Sequence, residues 1–107
     1  MDVEVLQEKA GQASKLLKSL ANERRLLIMC YLSEGEKSVS ELEPLIGVNQ
    51  SALSQHLARL RRGHLVTTRR EAQTIYYSIR SSEAEAVLGT LYKLYCAEAD
   101  DDTVGPA

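Results

Sequence analysis

The chain has 107 residues, of which 44% are hydrophobic and 26% are charged, and its net charge at pH 7 is -2. Its longest apolar run, LLIMCYL at residues 26–32, is far shorter than the roughly 18 residues that a membrane-spanning helix requires. The composition therefore predicts one domain of a cytoplasmic protein, and two cysteines are too few for a secreted fold built on disulfides.

Four helices are predicted in the first 62 residues from the spacing of apolar side chains and from capping residues. They cover residues 3–19, 23–33, 39–46 and 50–62. Asn22 and Asn49 are suited to cap the second and fourth helices, because their side-chain oxygens can accept a hydrogen bond from a free backbone N–H. Ser38 and Glu41 predict a capping box at the start of the third helix. Gly63 is expected to end the fourth helix.

After residue 63 the pattern changes to strand-like alternation. The segments HLVTTRR and QTIYYSIR are rich in β-branched and aromatic residues and are separated by a few polar positions, which predicts a β-hairpin. A last helix is predicted over residues 83–97, and the acidic stretch 98–107 is expected to be a disordered tail. The predicted fold is therefore mainly α with a small β-hairpin, a winged helix-turn-helix domain over residues 1–97.

Positive charge is concentrated in the fourth helix and the hairpin, since residues 49–80 contain six arginines and one acidic residue. Leu53, Leu57 and Leu60 share one face of the fourth helix, and polar or cationic side chains cover the other face. Such a face fits the major groove of double-stranded DNA, where Gln pairs with adenine and Arg with guanine; a solvated helix face is the alternative. The predicted DNA contacts are Asn49, Gln50, Ser51, Ser54, Gln55, His56, Arg59, Arg69, Arg70 and Gln73.

The segment SVSELEPLIGVNQSALSQHLARLRRGHLVTTRREAQTIYYSI, residues 38–79, resembles the ArsR family of bacterial winged-helix repressors. The resemblance extends from about residue 14 to residue 96, and its helix, turn and wing agree in order and spacing. It implies a transcriptional repressor that binds a palindromic operator as a homodimer. The first and last helices would form the dimer interface, and an inducer would release the DNA.

Metal-sensing relatives of this family have ligands that this chain lacks. Arsenic and cadmium sensors carry Cys-Val-Cys where this chain reads Ser38, Val39 and Ser40, and hydroxyls are poor ligands for soft metals. Zinc and nickel sensors carry histidines on the last helix, where this chain has none. Glu83, Glu85 and Glu98 are interpreted as solvated charges, so no metal site and no cofactor are predicted.

The two cysteines lie in the strings ANERRLLIMCYL and LYKLYC, which resemble those of the BigR and SqrR subgroup of that family. The resemblance implies that a persulfide or polysulfide inducer oxidises Cys30 and Cys96 to an intramolecular disulfide or polysulfide bridge. Taken alone, Cys30 lies in an apolar helix and is expected to be a small core residue. Cys96 lies at a helix end and is expected to be accessible.

Other functions fit the sequence less well. The chain could regulate transcription, or act as an antirepressor, without a thiol switch, and peroxide is an alternative oxidant. An enzyme with a Cys and His pair is disfavoured because neither His56 nor His64 has an acid placed to orient it. A haem protein would need a binding motif that the sequence lacks.

Overall fold

The computed structural model describes residues 1–96, which form five helices and a small antiparallel sheet. The elements are α1 Val3–Leu20, α2 Glu23–Leu32, β1 Lys37–Ser38, α3 Val39–Ile46, α4 Gln50–Arg62, β2 Val66–Glu71, β3 Thr74–Ile79 and α5 Ser82–Tyr95. This arrangement is a winged helix-turn-helix, in which α3 and α4 are the helix pair and β2 and β3 are the wing. The tail predicted at residues 98–107 lies outside the described residues.

Capping hydrogen bonds set the starts of the helices as the sequence predicted. The Asn22 side chain accepts from the backbone N–H groups of Arg24 and Arg25, and the Asn49 side chain accepts from that of Ala52. Ser38 and Glu41 form the capping box in both directions. The last helix was predicted to start at residue 83, but α5 starts at Ser82, because Ser81 is its N-cap.

The sheet has a third strand that the sequence did not predict. Its order is β1-β3-β2, and Lys37 and Ser38 of β1 pair with Tyr77 and Tyr76 of β3. A strand of two residues is too short to show the alternating pattern of a β-strand. Its effect is to attach the wing to the start of α3, so that the wing and the helix pair share one framework.

The core lies where α2, α3 and α4 meet. Six large side chains are almost completely buried: Ile28, Met29, Leu42, Leu53, Leu57 and Leu60. The three leucines of α4 are those that the sequence placed on one face, so the opposite face is turned outward. Burial of several large apolar side chains at about 1.5–3 kcal/mol each is what fixes α4 in this orientation.

The end of α4 is closed by two crossed backbone hydrogen bonds, from Leu65 N–H to Leu60 C=O and from His64 N–H to Arg61 C=O. This is the Schellman pattern, in which the residue in the left-handed region is usually glycine. Here His64 occupies that position with φ 62°. Gly63 is needed for another reason: a Cβ at this position would lie 2.6 Å from Ser19 Oγ and 3.3 Å from Ser19 Cβ.

Gly63→Ala is therefore expected to destabilise the protein by about 1–2 kcal/mol, because the added methyl group overpacks the contact between α1 and α4. Rotation of the Ser19 hydroxyl relieves only the shorter contact. Urea unfolding of the purified protein measures the loss. Combining the change with Ser19→Ala should recover part of it, and equal stability of Gly63→Ala and the native chain would contradict the assignment.

Candidate nucleic-acid interface and cysteine pair

The outer face of α4 presents the polar side chains that the sequence singled out. Six of them are exposed: Asn49, Gln50, Ser51, Ser54, Gln55 and Arg59. His56 is half-buried on the flank of the helix that faces α2. The Asn49 side-chain oxygen is used by the cap, at 2.8 Å from the backbone nitrogen of Ala52, so only its amide N–H groups are free to donate. The surface is hydrogen-bonding and cationic, as the prediction requires.

A groove of about 360 Å³ separates α4 from the wing. It is lined by Ser54, Ala58, Arg61, Arg62 and Tyr77. Cross-strand pairing places Arg70 opposite Ile75, and because side chains alternate along a strand, both lie on the face of the wing that carries Tyr77. Arg70 thus extends the cationic lining of α4 onto the wing.

Arg69 differs from its neighbour because it is held by contacts within the protein. Its guanidinium group donates to Glu36 at 2.5 and 3.0 Å and to Glu71 at 2.9 Å, and it lies 4.7 Å from the ring centroid of Tyr76. Hydrogen bonding to Arg69 lowers the pKa of Glu36. Arg69 therefore connects the wing to the turn before β1. Arg70, in contrast, makes no hydrogen bond or ion pair with the described residues. Gln73 is exposed in the turn of the hairpin.

Two arginines that were not among the predicted DNA contacts lie beside α4. Arg24 and Arg25 stand in the first turn of α2, and both influence His56 electrostatically. A signal for them was present in the sequence, because positive side chains are unfavourable at the N-terminus of a helix, where the helix dipole is itself positive. Two adjacent arginines in the first turn of a helix are therefore an unusual pattern that suggests a role outside helix stability.

The two cysteines lie on neighbouring helices. Cys30 is on α2 and Cys96 is the C-cap of α5, and these helices pack against each other. Both thiols are free and exposed. The pKa of Cys30 is raised, first by partial burial and then by the Cys96 thiol.

The expectation that Cys30 is a core residue is wrong. Ile28, Met29 and Leu32 of the same helix are buried in the core, whereas Cys30 is exposed. The apolar run LLIMCYL surrounds α2 on most sides, so the sequence pattern could not tell which of its residues would be covered. The accessibility of Cys96 agrees with the prediction.

The raised pKa of Cys30 has a testable consequence. Alkylation by iodoacetamide requires the thiolate, so we expect the rate at Cys30 to rise with pH around a midpoint above the ordinary value for cysteine. In Cys96→Ser the second cause of the shift is absent, and the midpoint should move down. Mass spectrometry of digested protein follows the reaction. A midpoint that is the same in both proteins would place the sulfur atoms outside each other's influence.

No group of three His, Cys, Asp or Glu side chains within residues 1–96 is arranged to hold a metal ion. None of the helices in the same range is long and apolar enough to cross a membrane.

Known proteins resemble the chain in sequence and structure. Residues 22–68 match the sequence profile of the bacterial regulatory proteins of the arsR family. The transcriptional activator HlyU of Vibrio cholerae is 49% identical over 96 residues, which are 90% of this chain and 89% of HlyU. The structure of reduced HlyU from V. cholerae has a TM-score of 0.82 at 49% identity and covers 87% of this chain and 98% of its own. The transcriptional repressor BigR of Xylella fastidiosa has a TM-score of 0.85 at 40% identity, with coverages of 90% and 98%.

Proposed function

This chain belongs to the ArsR family and is a transcriptional regulator of that type, and we propose that it represses by binding a palindromic operator as a homodimer. Oxidation of Cys30 and Cys96 to an intramolecular bridge would release the DNA. The single observation that supports the thiol switch is that α2, which carries Cys30, packs against α5, which ends at Cys96. Both thiols are also exposed to a reagent in solution.

DNA binding is proposed to use the outer face of α4 in the major groove. Gln55 and Ser54 are exposed near the middle of that face, where a helix docked in the groove brings side chains to base edges. Arg59, Arg61 and Arg62 follow in the last turns and would contact phosphates or guanine. The wing would add Arg70 on the neighbouring backbone.

Homodimer formation is supported by apolar side chains that one chain leaves uncovered on α1 and α5. They are Val3, Val5, Leu6 and Leu17 on α1 and Tyr92, Leu94 and Tyr95 on α5. A second copy related by a two-fold axis would bury both sets in one self-complementary interface. The same axis would present two α4 helices to the two halves of a palindrome.

A persulfide R–S–SH supplies the oxidising equivalents in the proposed switch. The thiolate of one cysteine attacks the outer sulfur, which forms a protein persulfide and expels the thiol R–SH. The thiolate of the other cysteine then attacks the inner sulfur of the protein persulfide, the sulfur–sulfur bond breaks, and hydrogen sulfide leaves. Two thiols and one persulfide thus give one disulfide, one thiol and one hydrogen sulfide.

The bridge would act on DNA binding through helix positions. A direct disulfide requires Cα atoms about 4.4–6.8 Å apart, whereas a longer sulfur chain permits a greater separation. Fixing α2 to the end of α5 would shift α5, which carries part of the proposed dimer interface, relative to the framework that holds α4. A coupling of about 1–3 kcal/mol, typical of such switches, lowers DNA affinity by roughly 5- to 150-fold.

Relatives support a redox response but differ in the direction of regulation. One structure is that of reduced HlyU, a name that specifies a redox state, and BigR is called a repressor whereas HlyU is called an activator. We propose release of DNA because a bridge that shifts α5 would distort the dimer, and we propose repression by analogy with BigR, which is called a repressor.

The test begins with selection of an operator from a random duplex library by the reduced protein. Affinity for that operator is then measured after treatment with an organic persulfide, with peroxide or with neither, and intact mass is recorded each time. The proposal expects weakened binding together with the mass of a Cys30–Cys96 bridge after persulfide. If affinity is unchanged after complete bridge formation, the protein is a regulator without a thiol switch. If only peroxide weakens binding, peroxide and not persulfide is the oxidant.

The two wing arginines should behave differently in this assay. Arg70→Ala is expected to weaken operator binding about 5- to 10-fold without changing stability, because it removes a free cation near the DNA backbone. Arg69→Ala should instead lower thermal stability and broaden wing resonances, since it removes the contacts with Glu36, Glu71 and Tyr76. If the two variants have equal stability, the assignment of a structural role to Arg69 and a DNA-binding role to Arg70 is refuted.

A further inference from the structure

A cationic cluster lies on the flank of α4 that faces away from the wing. It consists of Arg24 and Arg25 from α2 and His56 and Arg59 from α4, and we call it the α2 flank cluster. The packing of α2 against α4 brings the four side chains together. The pKa of His56 is lowered, first by partial burial and then by the positive charges of Arg25 and Arg24. Four side chains from two helices are thus gathered at one place beside the recognition surface.

The two arginines of α2 are held in fixed directions by helix ends. Arg24 Nη1 donates to the carbonyl of Ile46 at the end of α3, at 3.1 Å. Arg25 donates through Nε to Ser19 C=O at 2.7 Å and through Nη2 to Lys18 C=O at 3.2 Å, at the end of α1. A guanidinium group has five N–H donors, so each arginine retains donors for an external acceptor.

No carboxylate neutralises the α2 flank cluster within the described residues. The ion pairs in residues 1–96 join Lys37 to Glu34 and Arg69 to Glu36 and Glu71. Glu23 precedes Arg24 in the chain but forms no ion pair with it. The arginines of the cluster repel one another without a counter-charge, and Arg24 and Arg25 also stand at the unfavourable end of the α2 dipole. Such an arrangement costs stability in the free protein and is relieved when an anion binds.

The position of the cluster points to the anion. A helix that lies in the major groove has a phosphate backbone on each side of it. On one side of α4 the groove to the wing is lined by Arg61 and Arg62, with Arg70 on the facing strand. On the other side stands the α2 flank cluster. The two sets of cations therefore flank α4 as the two DNA strands would.

We propose that Arg24, Arg25, His56 and Arg59 form a binding site for backbone phosphates of the DNA strand opposite the one that the wing contacts. The proposal rests on the proposed DNA-binding function and adds to it a contact made by α2, a helix outside the helix-turn-helix pair. Its contribution is independent of sequence, because phosphates carry no base information.

Arg24→Gln tests the site, with Arg24→Lys and Arg80→Gln as companions. Affinity is measured at several salt concentrations for the selected operator and for a duplex of arbitrary sequence. Arg24→Gln should weaken both complexes by a similar factor of about 3- to 10-fold and reduce the slope of log affinity against log salt by about one. Arg24→Lys should keep the native slope. Arg80→Gln removes an arginine that lines the groove between α1 and the start of α5, and it should also keep the native slope.

A native slope in folded Arg24→Gln would overturn the proposal while leaving DNA binding by α4 intact. If the native chain itself binds no operator, the proposed function is refuted instead. A second measurement does not depend on variants: NMR of the native protein should show that the His56 ring resonances move and its pKa rises when the arbitrary duplex is added. An unaffected His56 at saturation would also overturn the site.

Discussion

Cys96→Ser is expected to bind the operator as tightly as the native chain when both are reduced, and to remain bound after persulfide treatment. The native protein should lose about 5- to 150-fold in affinity under the same treatment, as expected for a coupling of about 1–3 kcal/mol. The difference arises because one cysteine can accept a sulfur atom but cannot close a bridge. Titration of labelled operator before and after treatment measures both effects.

Because both thiols are exposed, the serine variants should differ from the native chain in their chemistry and not in their fold. Cys30 and Cys96 lie outside the buried core, so we expect serine at either position to leave the packing of that core unchanged. Cys30→Ser should therefore give the same persistent binding as Cys96→Ser. Release of DNA by either single variant, with no bridge in its mass spectrum, would rule out the intramolecular switch and indicate that modification of one thiol is sufficient.

Local sequence signals were enough to predict most of the fold. Caps such as Asn22 and Asn49 act within one helical turn, and the apolar face of Leu53, Leu57 and Leu60 is a property of one helix. Features that depend on contacts between distant residues were not predictable in this way. The pairing of Lys37 with Tyr77 is an example, since a strand of two residues has no periodic pattern of its own.

In the candidate site, too, local features were predictable from the sequence and contacts between distant residues were not. The exposed face of α4 follows from helix periodicity, so Ser54, Gln55 and Arg59 could be identified from the sequence. The hydrogen bonds of Arg69 to Glu36 could not be identified in this way, because Glu36 is distant in the chain and β1 brings it beside the wing. The pairing of Cys30 with Cys96 was implied by resemblance alone, because the packing of α2 against α5 that supports it joins residues far apart in the chain.

Gln55→Ala is expected to lower operator affinity by about 5- to 150-fold and to leave binding to a duplex of arbitrary sequence unchanged. The side chain is exposed near the middle of the outer face of α4, on the side of the helix opposite the buried residues Leu53 and Leu57. A glutamine in the major groove can form two hydrogen bonds with adenine, and each such pair contributes about 1–3 kcal/mol of discrimination. Alanine favours the helix more than glutamine does, so α4 remains folded.

Gln7→Ala is the matched control, since it makes the same change at an exposed position of α1, away from α4. It should bind the operator like the native chain. Operators carrying one substituted base pair at a time provide the second comparison. The native protein should discriminate against a change at the base that Gln55 reads, and Gln55→Ala should lose that discrimination at this position alone. Uniform weakening across all operators, together with weaker binding to the arbitrary duplex, would show that Gln55 contacts the backbone and that another residue of α4 reads the sequence.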